Sequence, residues 1–289
     1  MIVEIKRLAS GQEVPVVGLG TWELTGSTCT KAVKIALDIG YRHIDTAYIY
    51  GNHAEISRAI KEGPVDRSEL FITSKVWKNS LTREKVLAQT GEILRQLGTD
   101  YVDLLLVHWP TTDVPIEETI SAFEEVAGEG AARSIGVSNF TVGDLEGALE
   151  VASLPIVNNQ VKFNPQVRPV DVLEFCREKG ISVTAYSPLA RGEVIGQGGV
   201  LGEIAGNWEK TTAQVTLRWL IQKGLIVIPK ASSRGHLEEN LAVMGWELRP
   251  DEMKRLDSSR RSQRLKERRA KSARECRGDR KEEHPSRLF

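Results

Sequence analysis

Four side chains that suit proton transfer or charge pairing end or closely follow short apolar runs of the sequence: Asp45, Tyr50, Lys75 and His108. A lone charge at the end of a buried strand is costly unless it is paired, so we expect Asp45 and Lys75 to form an ion pair. An ammonium group beside a tyrosine stabilises the phenolate, so we expect the pKa of Tyr50 to fall below its ordinary value of about 10. Considered without the other residues, Asp45 and Lys75 also fit a structural ion pair, and His108 alone also fits a buried core histidine. Together the four favour a site with Tyr50 as a general acid.

The segments that must position these side chains alternate between two kinds. Between Val14 and Val243, short β-branched runs alternate with amphipathic stretches of helical period, which is typical of βα units and a parallel sheet. Leu104–Val107 is apolar on both faces, as a strand covered by helices is. We expect eight strands, at Val14–Gly20, His43–Ala47, Phe71–Val76, Val102–Trp109, Ile135–Ser138, Ile156–Phe163, Ser182–Ser187 and Ile226–Pro229.

Eight parallel strands with eight following helices close most naturally into a single-domain α/β fold, the (β/α)8 barrel. Helix caps are predicted at Ser27, Thr82 and Thr141, with helix ends near Gly40, Gly98 and Ala152. A doubly wound sheet is disfavoured, because Gly18-Leu19-Gly20-Thr21 lacks the third glycine of a dinucleotide fingerprint. The chemistry of a barrel lies at the carboxyl ends of its strands, so we expect the reactive side chains to meet there.

The composition is that of an ordinary globular protein. Of 289 residues, 40% are hydrophobic and 27% are charged, so the chain can bury a large core. No stretch approaches the roughly 18 apolar residues of a membrane span, and the first residues lack a signal-peptide core, so we expect a cytoplasmic protein without a membrane partner. The three cysteines contain no CxxC and the five histidines no paired-ligand spacing. We expect neither a disulfide framework nor a metal.

The last 32 residues differ from the rest. We expect a barrel domain over residues 1–257 and a basic tail over 258–289, which holds twelve Lys and Arg against five Asp and Glu. Because the tail has few large apolar residues to bury, we expect it to be disordered or a frayed charged helix. A basic run can bind nucleic acid, but a solvated charge run is the favoured interpretation.

The body of the chain contains a series of ordered motifs: Gly40-Tyr41-Arg42-His43-Ile44-Asp45-Thr46-Ala47, Tyr50-Gly51-Asn52, Thr73-Ser74-Lys75-Val76-Trp77, Leu106-Val107-His108-Trp109-Pro110, Ile135-Gly136-Val137-Ser138-Asn139-Phe140, Asn159-Gln160, Tyr186-Ser187-Pro188-Leu189 and Ile228-Pro229-Lys230. In order and spacing, over roughly residues 5–257, they resemble the aldo-keto reductase family. The resemblance implies an NAD(P)H-dependent enzyme, a monomer, that reduces small aldehydes and ketones. A cofactor-binding regulatory barrel without significant turnover is the alternative that the same motifs allow.

The resemblance also implies a role for each matching residue. Tyr50 would protonate the carbonyl oxygen, Lys75 and Asp45 would tune it, and His108 would orient the carbonyl. Ser138, Asn139 and Gln160 would hold the nicotinamide carboxamide, Tyr186 would stack on its ring, and the loop Ser187–Gly192 would close on the pyrophosphate. The full implied cofactor set is Gly20, Thr21, Ser138, Asn139, Gln160, Tyr186, Ser187, Leu189, Lys230, Ser232, His236, Glu239 and Asn240, and the implied substrate walls are Trp22, Trp77 and Trp109.

Three departures from the family pattern bear on specificity. The segment Thr111–Ile116 is short, which resembles the compact microbial branch and implies an open pocket. After Leu265 the basic tail stands in place of an apolar C-terminal loop, so one substrate wall is expected to be absent. His236 stands where an arginine commonly grips the 2′-phosphate of NADP, with Arg234 two residues earlier. An arginine offers a charged fork and a histidine one donor, so we expect NADPH to be preferred and NADH to be accepted as well.

Overall fold

Eight parallel strands form one sheet in the computed structural model, which describes residues 4–196 and 198–259. The described residues form ten strands, of which the first two make a separate two-stranded sheet: β1 (Ile5–Arg7), β2 (Glu13–Pro15), β3 (Leu19–Gly20), β4 (His43–Asp45), β5 (Phe71–Val76), β6 (Leu104–Val107), β7 (Ile135–Ser138), β8 (Ile156–Lys162), β9 (Ser182–Tyr186) and β10 (Ile226–Val227). Strands β3 to β10 follow one another in chain order across the sheet. Val227 closes the ring, because it pairs in parallel with Val17 and accepts a 2.9 Å hydrogen bond from the amide of Gly18. The predicted barrel is confirmed.

The helices form the outer layer of the barrel. They are α1 (Gly26–Asp38), α2 (His53–Lys61), α3 (Arg83–Leu97), α4 (Ile116–Gly128), α5 (Val142–Val151), α6 (Val170–Glu178), α7 (Gly199–Asn207), α8 (Thr212–Gln222) and α9 (Arg234–Leu241). Successive helices from α1 to α6 pack side by side, and α9 packs on α1. Strands β4 to β7 are buried along their whole length, as strands covered on both faces are.

The first predicted strand is wrong in part. The start of Val14–Gly20 belongs to Glu13–Pro15, which pairs antiparallel with Ile5–Arg7 in a hairpin, and the segment joins the barrel only from Val17 onward, through the Val17 bridge and Leu19–Gly20. The reason is that the hairpin covers the apolar amino-terminal end of the barrel core. Val14 and Leu8 belong to one buried cluster with Phe71 and Leu104 at that end of the strands. Apolar periodicity marks Val14 as buried but does not say against which element.

Two of the three predicted helix caps match the structure. Thr82 and Thr141 are the N-cap residues of α3 and α5, and Thr141 forms a capping box with Asp144. Ser27 does not cap α1. The first hydrogen bond of that helix runs from the amide of Cys29 to the carbonyl of Thr25, which is the N-cap residue. Thr25 and Ser27 carry equivalent capping hydroxyls, so residue type alone could not choose between them.

A second compact unit begins at Arg249, and its residues 250–259 are helical. The predicted basic tail lies outside the described residues from position 260 onward, and the domain boundary at residue 257 stays a prediction. None of the helices among residues 4–259 that the structure describes combines the length and the hydropathy of a membrane span.

Candidate active site

A cleft of about 680 Å³ opens at the carboxyl ends of the barrel strands. Most of the side chains that the sequence predicted for the site line it: Gly20, Thr21, Trp22, Asp45, Tyr50, Trp77, His108, Trp109, Ser138, Asn139, Gln160, Tyr186, Ser187, Leu189 and Lys230. Gly20 lies at the seam of the barrel, where a Cβ atom would stand 2.5 Å from the carbonyl oxygen of Ile228. Only glycine fits this position without moving the backbone, so the cleft floor depends on it.

A buried ion pair lies beneath the cleft. Lys75 Nζ donates to Asp45 Oδ1 at 2.6 Å and to the carbonyl oxygen of Thr46 at 2.8 Å, and the other carboxylate oxygen of Asp45 accepts from Gln160 Nε2 at 2.7 Å. Lys75 is fully buried and Asp45 nearly so. Burial is the largest single effect and lowers the pKa of Lys75, but the Asp45 carboxylate and the Tyr50 hydroxyl together outweigh it, so the net pKa is raised. The ammonium is therefore charged at all physiological pH values.

Tyr50 lies above this pair, at the end of a 3-10 helix over Tyr48–Tyr50. Lys75 Nζ is 5.3 Å from the centre of its ring. Burial raises the pKa of Tyr50, and the opposing effect of the Lys75 charge is smaller, so the net pKa lies above the ordinary value. The expectation of a lowered pKa is wrong, because desolvation of the phenolate outweighs the ammonium that stabilises it. Tyr50 is accordingly protonated at neutral pH, which is the state that can donate a proton.

His108 lies beside Tyr50 and is the fourth of the predicted catalytic residues. Its ring meets the rings of Trp77 and Tyr50 edge to face, with centres 5.1 Å and 5.8 Å apart. Burial, together with the charge of Lys75, lowers the pKa of His108 to about 3. The imidazole is thus neutral and offers one N–H donor. Its Nδ1 atom is buried and has no hydrogen-bond partner among the described residues, which leaves the ring without an anchor there.

These two shifts predict a flat pH profile for a proton transfer that uses Tyr50 and His108. At saturating cofactor, the rate of carbonyl reduction is expected to stay constant from about pH 5 to about pH 9. His108 is already neutral above its lowered pKa, and Tyr50 loses its proton only above its raised one. Alcohol oxidation, which needs the phenolate, is expected to rise with pH instead. Steady-state rates in both directions measure this, and a reduction rate with an inflection near pH 6.5 would contradict the neutral His108.

Three polar side chains, those of Ser138, Asn139 and Tyr186, form a hydrogen-bonded network with the main chain of His108 and Gln160. Asn139 Nδ2 donates to the carbonyl oxygen of His108 and to Ser138 Oγ, both at 3.0 Å, and its Oδ1 accepts from the Tyr186 hydroxyl at 2.9 Å. Ser138 Oγ in turn donates to the carbonyl oxygen of Gln160 at 2.8 Å. The network fixes the Tyr186 ring and the Asn139 amide at the edge of the cleft. Gln160 does more than was expected, since its amide also holds Asp45.

Most of the residues predicted to surround the adenosine end of the cofactor do not line the cleft. Lys230 lines the cleft, but Ser232, His236, Glu239 and Asn240, which lie in or just before α9, are not part of its lining. Ser232 and His236 are exposed, whereas Glu239 accepts from the Thr211 hydroxyl at 2.5 Å and Asn240 is buried. Arg234 pairs with Asp38 at 2.5 Å and with Glu238 at 3.4 Å, on the outer surface.

Sequence reasoning missed Asn52, which supports the site from behind. Its Nδ2 donates to the carbonyl oxygen of Thr21 at 2.9 Å, and its Oδ1 accepts from the Thr46 hydroxyl at 2.7 Å. It thereby joins the loop after β3 to the segment whose carbonyl receives the Lys75 hydrogen bond. An asparagine before a helix is an ordinary cap signal, but this side chain makes no cap hydrogen bond. The cleft lining also includes Glu23, Ile49, Ile195, Ile228 and Pro229, for which no role was predicted from the sequence, and Pro188, Arg191 and Gly192 of the predicted loop Ser187–Gly192.

The whole barrel and its cleft correspond to a known family. Residues 16–261 match the model of the Aldo/keto reductase family. This chain belongs to that family. Membership supports an oxidoreductase that acts on small carbonyl compounds with a nicotinamide cofactor, and not the alternative of a regulatory barrel without turnover. Among residues 4–259, leaving out the undescribed position 197, no cluster of His, Cys, Asp and Glu suitable for a metal ion occurs.

Three similar proteins show how far the likeness extends. The uncharacterized oxidoreductase YtbE of Bacillus subtilis is 41% identical, over 87% of this chain and 91% of its own length. The glyoxal reductase of the same organism is 39% identical, over 90% and 94%. The crystal structure of a Bombyx mori aldo-keto reductase in complex with NADP superimposes with a TM-score of 0.83 at 32% identity, over 89% of this chain and 93% of that one. The likeness therefore spans the full reductase fold.

Proposed function

We propose that this protein reduces aldehydes and ketones to alcohols with NADPH, with Tyr50 as the proton donor. The observation that carries the proposal is the buried Lys75–Asp45 pair below Tyr50, beside a neutral His108, at the carboxyl ends of the barrel strands. A purely structural ion pair would not need a tyrosine and a histidine that face an open cleft. The natural test is a panel of aldehydes, ketones and sugars, followed at the absorbance of the reduced nicotinamide.

The chain's own residues account for the proton transfer. The protonated Tyr50 hydroxyl donates to the carbonyl oxygen as that oxygen gains negative charge. Although the pKa of Tyr50 is raised, an alkoxide is a much stronger base than a phenolate, so the transfer remains favourable. Lys75 stabilises the phenolate that remains, and Asp45 keeps Lys75 in place. The neutral His108 provides one N–H donor that orients the carbonyl.

The residues present fit a nicotinamide cofactor. The Asn139 amide, the Ser138 hydroxyl and the Gln160 amide offer donors and acceptors suited to a carboxamide, and Tyr186 presents a ring held by Asn139. When bound, the cofactor supplies the hydride. Gly20, Thr21, Ser187, Leu189 and Lys230 line the remainder of the cleft, and we assign them to the phosphates and riboses. Ser232, His236, Glu239 and Asn240 are proposed for the adenosine end, beyond the cleft.

The walls of the cleft favour small and varied substrates. Trp22 and Trp109 are 40% and 42% exposed, and Trp77 is half-buried, so these rings present open apolar faces to a substrate.

We propose that the protein acts as a monomer, since one chain supplies all of these groups. We also place it in the cytoplasm, which is supported by the buried free thiols of Cys29 and Cys176 and by the proposed use of a reduced cofactor.

The cofactor preference can be tested at His236. We expect NADPH to bind more tightly than NADH, but with weaker discrimination than an arginine would give, and His236→Arg to tighten NADPH alone by about tenfold to a hundredfold. An arginine adds a charged fork for the 2′-phosphate, and Arg234 is already engaged by Asp38 and Glu238. Dissociation constants for both cofactors, measured by quenching of tryptophan fluorescence, decide the point.

The comparison of the two cofactors is the control for this assignment, because only NADPH carries the 2′-phosphate that His236 is proposed to contact. Arg234→Met serves as the matched variant, since it removes an arginine from the same helix that is paired on the outer surface. Equal affinities for NADPH and NADH would show that the 2′-phosphate is not read at His236.

A further inference from the structure

The side chain of Asn52 joins separate segments of the site. Its Nδ2 atom donates to the carbonyl oxygens of Thr21 at 2.9 Å and Leu24 at 3.0 Å, and its Oδ1 atom accepts from the Thr46 hydroxyl at 2.7 Å. A side-chain amide has two N–H donors, so both are used. Asn52 is fully buried, and polar groups that lose a buried partner are left unsatisfied at a high cost. The amide is therefore a firm connection between the groups that it bonds.

One of the connected segments is the turn that carries Trp22. Thr21 and Leu24 lie on either side of this turn, and the amide of Leu24 donates to the carbonyl oxygen of Thr21 at 3.0 Å. Glu23, between them, has a φ of 63° in the left-handed region. A residue other than glycine keeps this conformation where the surrounding structure holds it. Because Asn52 bonds the carbonyls at both ends of the turn, it fixes the direction in which the Trp22 ring leaves the backbone.

The other connected segment leads to Lys75. Thr46 donates its hydroxyl hydrogen to Asn52, and the carbonyl oxygen of the same residue accepts from Lys75 Nζ at 2.8 Å. Thr46 is fully buried. Tyr50 comes two residues before Asn52, and the centre of its ring lies 5.3 Å from Lys75 Nζ. A shift of Thr46 would therefore move an acceptor of the ammonium relative to the ring above it.

We propose that Asn52 is a positioning residue of the reductase, which holds the turn of Trp22 and the ammonium of Lys75 in a fixed arrangement around the proton donor. One amide then sets both a substrate wall and the environment of the transferred proton, although they belong to different loops of the barrel. The kinetic part of this inference rests on the proposed reductase function. The ionisation of Tyr50 and the exposure of Trp22 can be measured without turnover.

Asn52→Ala is expected to affect both sides of the connection. We expect kcat/KM to fall about tenfold to a hundredfold, with KM raised and kcat reduced, because small displacements of positioned groups have effects of this size. Burial already raises the pKa of Tyr50, and a displaced ammonium would oppose it less, so the rate of alcohol oxidation is expected to rise at higher pH than in the wild type. The dissociation constant of NADPH is expected to stay unchanged, because the amide and hydroxyl of Thr21 still donate to the carbonyl oxygen of Asp45.

Thr46→Val disturbs the Lys75 side alone. Valine has nearly the same shape as threonine but lacks the hydroxyl, so the two hydrogen bonds from Asn52 to the Trp22 turn remain. We expect a lower kcat and the same shift of the oxidation profile, with KM as in the wild type. Thr46→Ser keeps the hydroxyl and is expected to restore both. In the double variant with Asn52→Ala, the pH shift is expected to equal that of Asn52→Ala alone, because both substitutions remove the same hydrogen bond.

Two spectroscopic measurements test the connection without turnover. Ultraviolet difference titration follows the ionisation of Tyr50, with Tyr50→Phe as the reference, and acrylamide quenching follows the exposure of Trp22, with Trp22→Phe as the reference. We expect Tyr50 to ionise at higher pH in Asn52→Ala and in Thr46→Val, and the quenching to change in Asn52→Ala only. If the wild-type protein reduces no carbonyl compound, the proposed function fails, and these measurements still decide the role of Asn52.

The matched control is Asn158→Ala. Asn158 is a fully buried asparagine of β8 that donates to the Thr184 hydroxyl at 2.9 Å and does not line the cleft. We expect it to lower the melting temperature without changing KM, the pH profile or the quenching.

Two outcomes would overturn the proposal. The first is wild-type kinetics and spectra in Asn52→Ala with its fold verified by thermal melting or, if that variant does not fold, wild-type behaviour of Thr46→Val. The second is the same set of changes in Asn158→Ala, because they would then reflect a general loosening of the barrel and not the contacts of Asn52.

Discussion

Tyr50→Phe is expected to lower kcat for carbonyl reduction by about 10²–10⁴-fold while the dissociation constant of NADPH stays as in the wild type. The substitution removes the proton donor but keeps the ring that lies beside Lys75 and His108. The contacts proposed for the cofactor come from other residues, so its binding is not affected. Steady-state kinetics with the best substrate of the panel and fluorescence titration with NADPH measure the two quantities.

The control for this variant lies on the same turn. Tyr48→Phe makes the same chemical change two residues earlier in the 3-10 helix, but Tyr48 does not line the cleft. We expect it to retain wild-type turnover. Retention of most of the turnover by Tyr50→Phe would show that another group donates the proton, and a matching loss in Tyr48→Phe would point to a disturbed turn.

Lys75→Met is expected to lower both turnover and stability. The pKa of Tyr50 would rise further without the ammonium that opposes the effect of burial, so the phenolate left after proton donation would lose its stabilisation. The variant also leaves Asp45 buried without its cation. Breaking a buried ion pair costs about 3–5 kcal/mol, and we expect a free energy of unfolding lower by that amount in urea denaturation.

A double variant separates the two effects of Lys75. Asp45→Asn combined with Lys75→Met removes both charges, so no buried charge is left without a partner, and we expect it to recover part of the stability lost in Lys75→Met. Turnover is expected to remain low, because the ammonium below Tyr50 is still absent. If Lys75→Met changes neither rate nor stability, the ion pair has no role in either, and the proposed mechanism fails at that step.

The sequence by itself was sufficient to predict the barrel and the neighbourhood of the site. Runs such as Leu104–Val107, apolar on both faces and separated by helical segments, fit few folds other than a parallel sheet covered on both sides. Side chains that end parallel strands must meet at one end of the sheet, so Asp45, Lys75 and His108 were predicted together before any distance was known. The ion pair followed because a buried charge needs a partner.

Some features were decided only by the tertiary structure, because they depend on the combined effect of groups that are far apart in the sequence. The pKa of Tyr50 was expected to fall because the sequence shows Lys75 but not how deeply the ring is buried, and burial proved the larger effect. Gln160 holds Asp45 although 115 positions separate them. The stack of Arg191 on Trp22 likewise joins the loops after the seventh and first strands of the barrel. Residue types and spacing determine which groups are available, whereas desolvation and contacts across the barrel exist only once the chain has closed.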